Sequence, residues 1–247
     1  MSRPEIKKFT EFYGSVLGKV FCRLLRAEIR KIWPDIFAGS PIKQTIAGIG
    51  FATPYLQIFL PRMERVIAIM PGGMGAIKWP RDLSLTAAAD ETSLPLPDNS
   101  LDRIILVHAL EYCENMPGML REIWRVLAPG GKVLIILPNR LSPWAHIAKT
   151  PLGSGQPFSR AQIAALLNHS MFQVLRTKCA VHIPPVSARP ILKNHRLLDK
   201  IAHFFYPALG AVVWAEAEKR VYAVRGNPKC EKAKLLVPIP QGILSPG

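Results

Sequence analysis

Short apolar runs separated by turn-forming residues follow one another from about residue 43 onward. They stand at Thr45–Ala47, Val66–Ile69, Ile104–Val107 and Val133–Leu137. Runs of this length bounded by turn formers are typical of strands that are buried on both faces, as in parallel sheets. The pattern therefore predicts four parallel strands in the centre of the chain.

Between the third and fourth runs, apolar residues recur at helical spacing. They are Met119, Leu120, Ile123, Trp124 and Leu127. The predicted helix ends at Pro129-Gly130-Gly131, because proline and glycine interrupt helical geometry. Alternation of strands and helices implies right-handed crossovers and an α/β doubly wound sheet, whose ligand crevice lies at the carboxyl ends of the strands.

Further elements are predicted on either side of this centre. An amphipathic opening helix is indicated by apolar residues from Tyr13 to Leu25, with basic residues between them. Later segments predict a helix at 159–167 capped by Ser159, a strand at 172–181, a helix at 191–205, and a long strand or bent pair at the sheet edge from 211–216 and 220–224. The aromatic residues Phe204, Phe205 and Tyr206 are expected in the core.

The chain has 247 residues, a length that one α/β domain commonly reaches. We expect a single domain over 1–226, with 1–35 as an N-terminal helical extension and 227–247 as an irregular, basic, proline-containing tail. No secretory signal and no apolar run long enough for a membrane span are visible, so a soluble cytoplasmic protein is expected.

A formal net charge of +15 favours an acidic partner, such as nucleic acid, an anionic membrane face or an acidic protein. The charge does not choose among them, and a solvated basic surface is the alternative interpretation. The four cysteines, Cys22, Cys113, Cys179 and Cys230, are widely separated, so neither a metal site nor a disulfide framework is predicted.

Two motifs around the third and fourth apolar runs are specific in combination. The first runs from Asp90 to Asp102 and contains Leu94-Pro95 and Leu101-Asp102; the second is Arg125-Val-Leu-Ala-Pro-Gly-Gly-Lys-Val-Leu134. Upstream, Gly48-Ile49-Gly50-Phe51-Ala52 resembles a GxGxG loop with alanine for the last glycine. Together they resemble class I S-adenosylmethionine-dependent methyltransferases of the type 11 kind, firmly over residues 43–138.

The resemblance implies a Rossmann-like, mostly parallel, seven-stranded sheet with S-adenosyl-L-methionine as cofactor. It places along the cofactor Gly48, Gly50, Ala52, Met70, Asp90, Glu91 and His108. Glycines would let the main chain approach the ligand closely, and Asp90 would accept a hydrogen bond from the adenine amino group. A tight turn without ligand and a loop-capping aspartate are the alternative interpretations.

The sequence departs from the family at two positions that are usually acidic, where Ile46 and Met70 stand. Each lost contact would cost about 1–3 kcal/mol of cofactor affinity. The following loop, Met70 to Gly75, is rich in glycine and could supply main-chain groups instead. Weak, altered or absent cofactor binding is a consequence that the sequence leaves open.

In the family that the chain resembles, the methyl acceptor lies at the carboxyl end of the fourth strand. His108 directly follows the segment that matches this strand, so it is the candidate general base. A packing histidine is the alternative. Candidate substrate contacts are Glu111, Tyr112, Asn139, Arg140 and Trp144.

The expected function is methyl transfer to a small molecule or a protein side chain. A non-catalytic member of the fold that binds a partner, and a nucleic-acid methyltransferase, are the alternatives.

Overall fold

A seven-stranded sheet forms the centre of the computed structural model, which describes residues 4–147, 150–186 and 188–220. The strand order is β3-β2-β1-β4-β5-β7-β6. The strands are β1 (Ile42–Gly50), β2 (Met63–Pro71), β3 (Thr86–Ala89), β4 (Leu101–Val107), β5 (Leu127–Pro138), β6 (Phe172–Ala180) and β7 (Val212–Lys219). Strands β1 to β5 are parallel, and only β7 runs antiparallel to its neighbours. The predicted doubly wound fold is confirmed.

Four strands, β1, β2, β4 and β5, were predicted from apolar runs because they lie in the interior of the sheet. Residues 46–50 of β1 are all buried because β2 and β4 pair on either side and helices cover both faces. Strand β7 is also interior, paired to β5 and β6, so the place at the sheet edge expected for 211–216 was wrong. It lies between β5 and β6 and pairs antiparallel with both. Residues 221–224 of the same prediction lie outside the described residues.

Eight helices lie in the described part of the chain. They are α1 (Ile6–Gly14), α2 (Val16–Ile32), α3 (Pro34–Phe37), α4 (Thr53–Leu56), α5 (Met116–Val126), α6 (Arg160–His169), α7 (Arg189–Lys193) and α8 (His195–Phe205). Short 3-10 turns stand at Gly72–Met74, Leu110–Tyr112, Pro143–His146 and Pro151–Gly153. None of these helices has both the length and the apolar character needed to cross a bilayer.

Capping residues decide where several helices begin and end. Ser159 begins α6 as predicted, in a reciprocal capping box with Gln162. Ser15 divides the predicted opening helix, because its hydroxyl accepts from the Gly18 amide and starts α2. Helix α5 ends at Val126, before Pro129-Gly130-Gly131, which lie inside the span of β5. The predicted 191–205 helix is two helices, α7 and α8.

Two hydrophobic cores cover the two faces of the sheet. One contains α1 to α4 and includes Phe9, Leu25 and Tyr55. The other contains α5 and α6 and includes Met119, Ile123 and Ile163. The N-terminal extension thus belongs to the fold, whereas the predicted tail at 227–247 lies outside the described residues.

A buried carboxylate on β7 fixes the N-terminal extension to the sheet. Glu216 is 1% exposed and accepts a hydrogen bond from the indole N–H of Trp33 at 2.9 Å. Its second oxygen accepts from Arg176 of β6 at 2.6 Å and 2.8 Å. Burial of this charge is tolerated because both oxygens are paired.

We predict that Glu216→Ala lowers the free energy of unfolding by about 1–3 kcal/mol, because it leaves the buried Trp33 N–H without an acceptor. Urea-induced unfolding measures the change. Glu218→Ala, on the same strand but only half-buried, is the matched control and should cost less. Equal losses in the two variants would contradict the role given to Glu216.

Candidate functional site

The turn that leaves β1 is packed tightly against the fold. Gly50 has a φ of 85°, and a Cβ there would lie 2.3 Å from the carbonyl oxygen of Val107. A Cβ at Gly48 would lie 2.6 Å from the Cβ of Ala52. Contacts with β4 and with the residue that caps α4 are therefore enough to require both glycines, and the sides on which a Cβ would project are filled by the chain.

Aromatic side chains from α1 cover this turn. Phe51 stacks against Phe9 and against Tyr13, each with ring centroids 5.3 Å apart. Phe9 also lies 4.9 Å from the ring of His108 and meets Tyr112 edge to face. Phe9 is completely buried and Tyr13 is 9% exposed. Helix α1 therefore closes the carboxyl edge of β1 and β4.

A chain of hydrogen bonds runs beneath this aromatic layer. The Tyr55 hydroxyl donates to the Tyr13 hydroxyl at 2.9 Å. The Tyr13 hydrogen is then free to donate to Nε2 of His108, also at 2.9 Å. On the other side of the ring, Nδ1 of His108 lies 2.9 Å from Oε1 of Glu111. These contacts assign His108 as the tautomer that carries its proton on Nδ1.

His108 and Glu111 are held in unusual local states. His108 has a φ of 53°, a left-handed conformation that costs a non-glycine residue energy and often accompanies functional sites. Glu111 is 2% exposed, and its Oε2 has no hydrogen-bond partner among the described residues. A strained histidine beside a buried, half-satisfied carboxylate marks this edge as a candidate site.

Burial raises the pKa of both tyrosines in this chain. The pKa of Tyr13 lies well above the ordinary value because its ring is desolvated, a change that the hydrogen bond from Tyr55 partly offsets. Desolvation likewise raises the pKa of Tyr55. Both hydroxyls therefore keep their protons and remain donors.

The adenine end of the expected site lies at the carboxyl end of β3, two strands from β1 and at the same edge of the sheet. Asp90 follows β3 and is exposed, and its Oδ1 accepts from the amide and the hydroxyl of Thr92, both at 2.7 Å. Glu91 beside it is half-buried. Parallel strands are about 4.8 Å apart, so β3 lies roughly 10 Å from β1. The loop-capping interpretation of Asp90 is observed, and a role toward a ligand stays a prediction.

The two positions where the family usually has acidic residues are buried, whereas the loop after β2 is exposed. Ile46 on β1 and Met70 on β2 are completely buried in apolar surroundings. Gly72 and Gly73 are exposed, with nothing within 4 Å of the position of a Cβ. The glycine-rich loop therefore offers open main chain at the place where a carboxylate is lacking.

The candidate substrate residues divide between the site and the fold. Glu111 and Tyr112 lie beside His108, whereas the amide of Asn139 donates to the carbonyls of Ala208 and Gly210. The indole of Trp144 donates to the carbonyl of Ile183. Arg140 is exposed. The contacts of Asn139 and Trp144 secure the segment before β7, so a substrate role for them stays a prediction.

The chain fills the space immediately beside His108. The space beside His108, lined also by Tyr13, Phe21 and Val107, is too small for a water molecule. Within the described residues no cluster of three or more potential metal ligands occurs either. His108 is 3% exposed, and Phe9 and Tyr13 of α1 are among the side chains that cover it.

Sequence reasoning missed the four aromatic residues that shape this site, Phe9, Tyr13, Phe51 and Tyr55. Tyr13 was visible only as part of an amphipathic helix. The one available signal was Phe51 inside the glycine loop, where a large ring leaves little space for a ligand.

We predict that stability falls as pH rises above the ordinary tyrosine pKa of 10.0. The folded-state pKa is raised, so the unfolded chain loses these protons first and becomes favoured. Tyr55→Phe removes one buried titrating group and should reduce this alkaline loss, as measured by urea unfolding across the alkaline range. An unchanged slope in the variant would contradict the assignment.

Comparisons with known proteins show which families and folds the chain resembles. A family described as Methyltransferase domain matches residues 48–135. An uncharacterized protein of Mycobacterium tuberculosis is 26% identical over 180 residues, covering 64% of this chain and 62% of that protein. The chain thus spans about three fifths of the length of that relative. A ubiquinone/menaquinone biosynthesis C-methyltransferase of Pseudomonas paraeruginosa is 26% identical over 149 residues, or 53% of this chain and 57% of the relative.

Solved structures agree on the fold. A SAM-dependent methyltransferase from Archaeoglobus fulgidus has a TM-score of 0.57 at 16% identity, covering 85% of this chain and 97% of that one. A SAM-dependent methyltransferase from Thermotoga maritima has a TM-score of 0.54 at 16% identity, with 82% and 99% covered. The chain therefore has the class I fold of the S-adenosylmethionine-dependent methyltransferases, and its residues 48–135 match the methyltransferase-domain family.

Proposed function

We propose that the chain is an S-adenosylmethionine-dependent methyltransferase whose crevice is closed by α1 and opens when this helix moves. The proposal is supported by one observation above all. The strained His108, paired with buried Glu111, stands at the end of β4 inside the matched domain and directly beneath α1. S-adenosylmethionine carries the methyl group that such enzymes transfer; the acceptor is a small molecule or a protein side chain.

The residues of the chain explain what α1 movement would accomplish. While α1 is in place, Nε2 of His108 accepts the Tyr13 hydrogen and is shielded by Phe9. When α1 leaves, Nε2 faces the crevice with its lone pair, and Glu111 still holds the proton on Nδ1. A histidine in this state can accept a proton from an incoming hydroxyl, amine or thiol.

The open part of the crevice offers the remaining contacts. Asp90 and the exposed Gly72 and Gly73 lie at the same edge of the sheet as His108. Ile46 and Met70 cannot supply the carboxylates that the family usually places there, so cofactor binding rests on fewer polar contacts. We infer an affinity weaker than that of a complete site, by about 1–3 kcal/mol for each missing contact.

Opening would cost both the aromatic contacts and the burial that Phe9 and Tyr13 gain from the fold. Aromatic pairs contribute about 0.5–1.5 kcal/mol each beyond their burial, so the pairs made by Phe9 and Tyr13 amount to a few kcal/mol. A ligand with an intrinsic Kd near 1 μM binds with about 8 kcal/mol, so an opening cost that includes the lost burial would weaken its apparent affinity to the millimolar range or beyond.

A second candidate function is supported by the same packing. The filled crevice and the apolar Ile46 and Met70 suit a non-catalytic member of the fold that acts by binding a partner. Several relatives carry names of quinone-pathway methyltransferases, and one solved structure of the fold is described as a complex with the activator Trm112. A quinone-like acceptor and an activator protein are therefore candidates for this chain. A nucleic acid is a third candidate, suggested by the net charge of +15.

We predict that Phe9→Ala binds S-adenosylhomocysteine at least about tenfold more tightly than the unchanged chain, because the variant removes the ring that closes the crevice. Isothermal titration calorimetry measures both. Phe59→Ala is the matched control, since Phe59 is also completely buried but packs against Trp33 and Phe37.

Circular dichroism confirms that each variant is folded, and Phe9→Leu carries the test if the alanine variant is not. Absence of binding in the unchanged chain and in both Phe9 variants would reject the methyltransferase proposal in favour of the non-catalytic one. Equal gains from Phe9→Ala and Phe59→Ala would reject the role of α1.

A further inference from the structure

The outer face of α8 is apolar and exposed. Leu197, Ile201, Phe204 and Phe205 follow the i, i+4, i+7, i+8 spacing of one helical stripe. Their exposed fractions are 61%, 46%, 80% and 66%. The expected burial of Phe204, Phe205 and Tyr206 in the core was therefore wrong, since α8 rests on the fold through its opposite side, where His195 is buried.

Cations line one side of this apolar stripe. Arg196 and Lys200 stand one helical turn apart and face a groove of about 690 Å³ between α8, α2 and β6. Arg23 and Lys178 line the same groove, and none of the four forms an ion pair with a described residue. The carboxylates at the groove, Glu28 and Asp199, are already engaged, with Lys31 and with the His182 amide.

The adjoining apolar and cationic surfaces define the chemistry of the occupant. A helix that presents exposed aromatic and aliphatic residues beside unpaired cations suits the boundary of a bilayer, where acyl chains and anionic headgroups meet. Eleven residues rise only about 16 Å, so the helix would lie in the plane of the boundary. An antiparallel two-fold contact between the α8 stripes of two copies would bring Arg196 and Lys200 of both copies to the same side and is disfavoured by repulsion.

We propose that the α8 surface, comprising its apolar stripe and the adjoining cationic groove, docks on an anionic lipid bilayer. Phe204 and Phe205 enter the acyl region just below the headgroups, while Arg196 and Lys200 contact lipid phosphates. Exposed aromatic side chains then have an apolar environment, and Arg196 and Lys200 have counter-charges. This inference does not depend on methyl transfer.

Flotation of the full chain with vesicles tests the proposal. We expect binding to phosphatidylcholine vesicles that contain phosphatidylglycerol, little binding to phosphatidylcholine alone, and weakening as salt is raised. Phe204→Ser combined with Phe205→Ser, and Arg196→Glu combined with Lys200→Glu, should each reduce the bound fraction roughly tenfold or more.

Two matched controls should bind like the unchanged chain. Leu83→Ser with Leu141→Ser removes apolar residues of similar exposure elsewhere, and Lys43→Glu with Arg65→Glu makes the same charge change on exposed cations at the other end of the sheet. Equal binding in the α8 variants and their controls would overturn the proposal. So would a dimer, seen by sedimentation velocity, that the Phe204 and Phe205 variant dissolves while vesicles are not bound.

Discussion

The packing of α1 on the carboxyl edge of the sheet is the interaction on which the account of the site depends. Phe9 and Tyr13 hold Phe51 between them, and Tyr13 also links Tyr55 to His108. The aromatic layer excludes water, which is why the hydrogen bonds beneath it keep a defined direction. The same layer covers the carboxyl ends of β1 and β4, at the sheet edge where folds of this type bind ligands, so coverage of this edge and the hydrogen bonding of His108 have one cause.

The position of α1 depends on a small number of contacts with the sheet edge. The glycine turn, the strained His108 and the unsatisfied Glu111 oxygen belong to the rigid sheet edge, whereas α1 is joined to the rest by one turn at Ser15. A helix of nine residues has little stability of its own, so its position depends on its aromatic contacts. In the proposed opening, α1 moves while the strands that carry His108 and Asp90 stay in place.

The sheet was predictable because burial on both faces leaves a local trace. Ile104–Val107 and Val133–Leu137 are apolar runs for that reason. The start of α6 was also predictable from local sequence, because Ser159 and Gln162 form a capping box within four residues. The packing of α1 against the sheet edge was not predictable from local sequence. Tyr13 and His108 are 95 residues apart, and a helical apolar stripe does not state which strand end it covers. The exposed face of α8 escaped for a related reason, because periodicity reports that a helix has an apolar side but not whether the fold covers it.

Hydrogen exchange measured by mass spectrometry, with and without saturating S-adenosylhomocysteine, tests the closure of the crevice by α1 most directly. If the account is correct, amides of Ile6–Gly14 exchange faster when the ligand is bound, while those of β4 and β5 are unchanged or slower. Ligand-dependent protection around Asp90 with unaltered exchange in α1 would contradict it, because the ligand would then bind without displacing the helix.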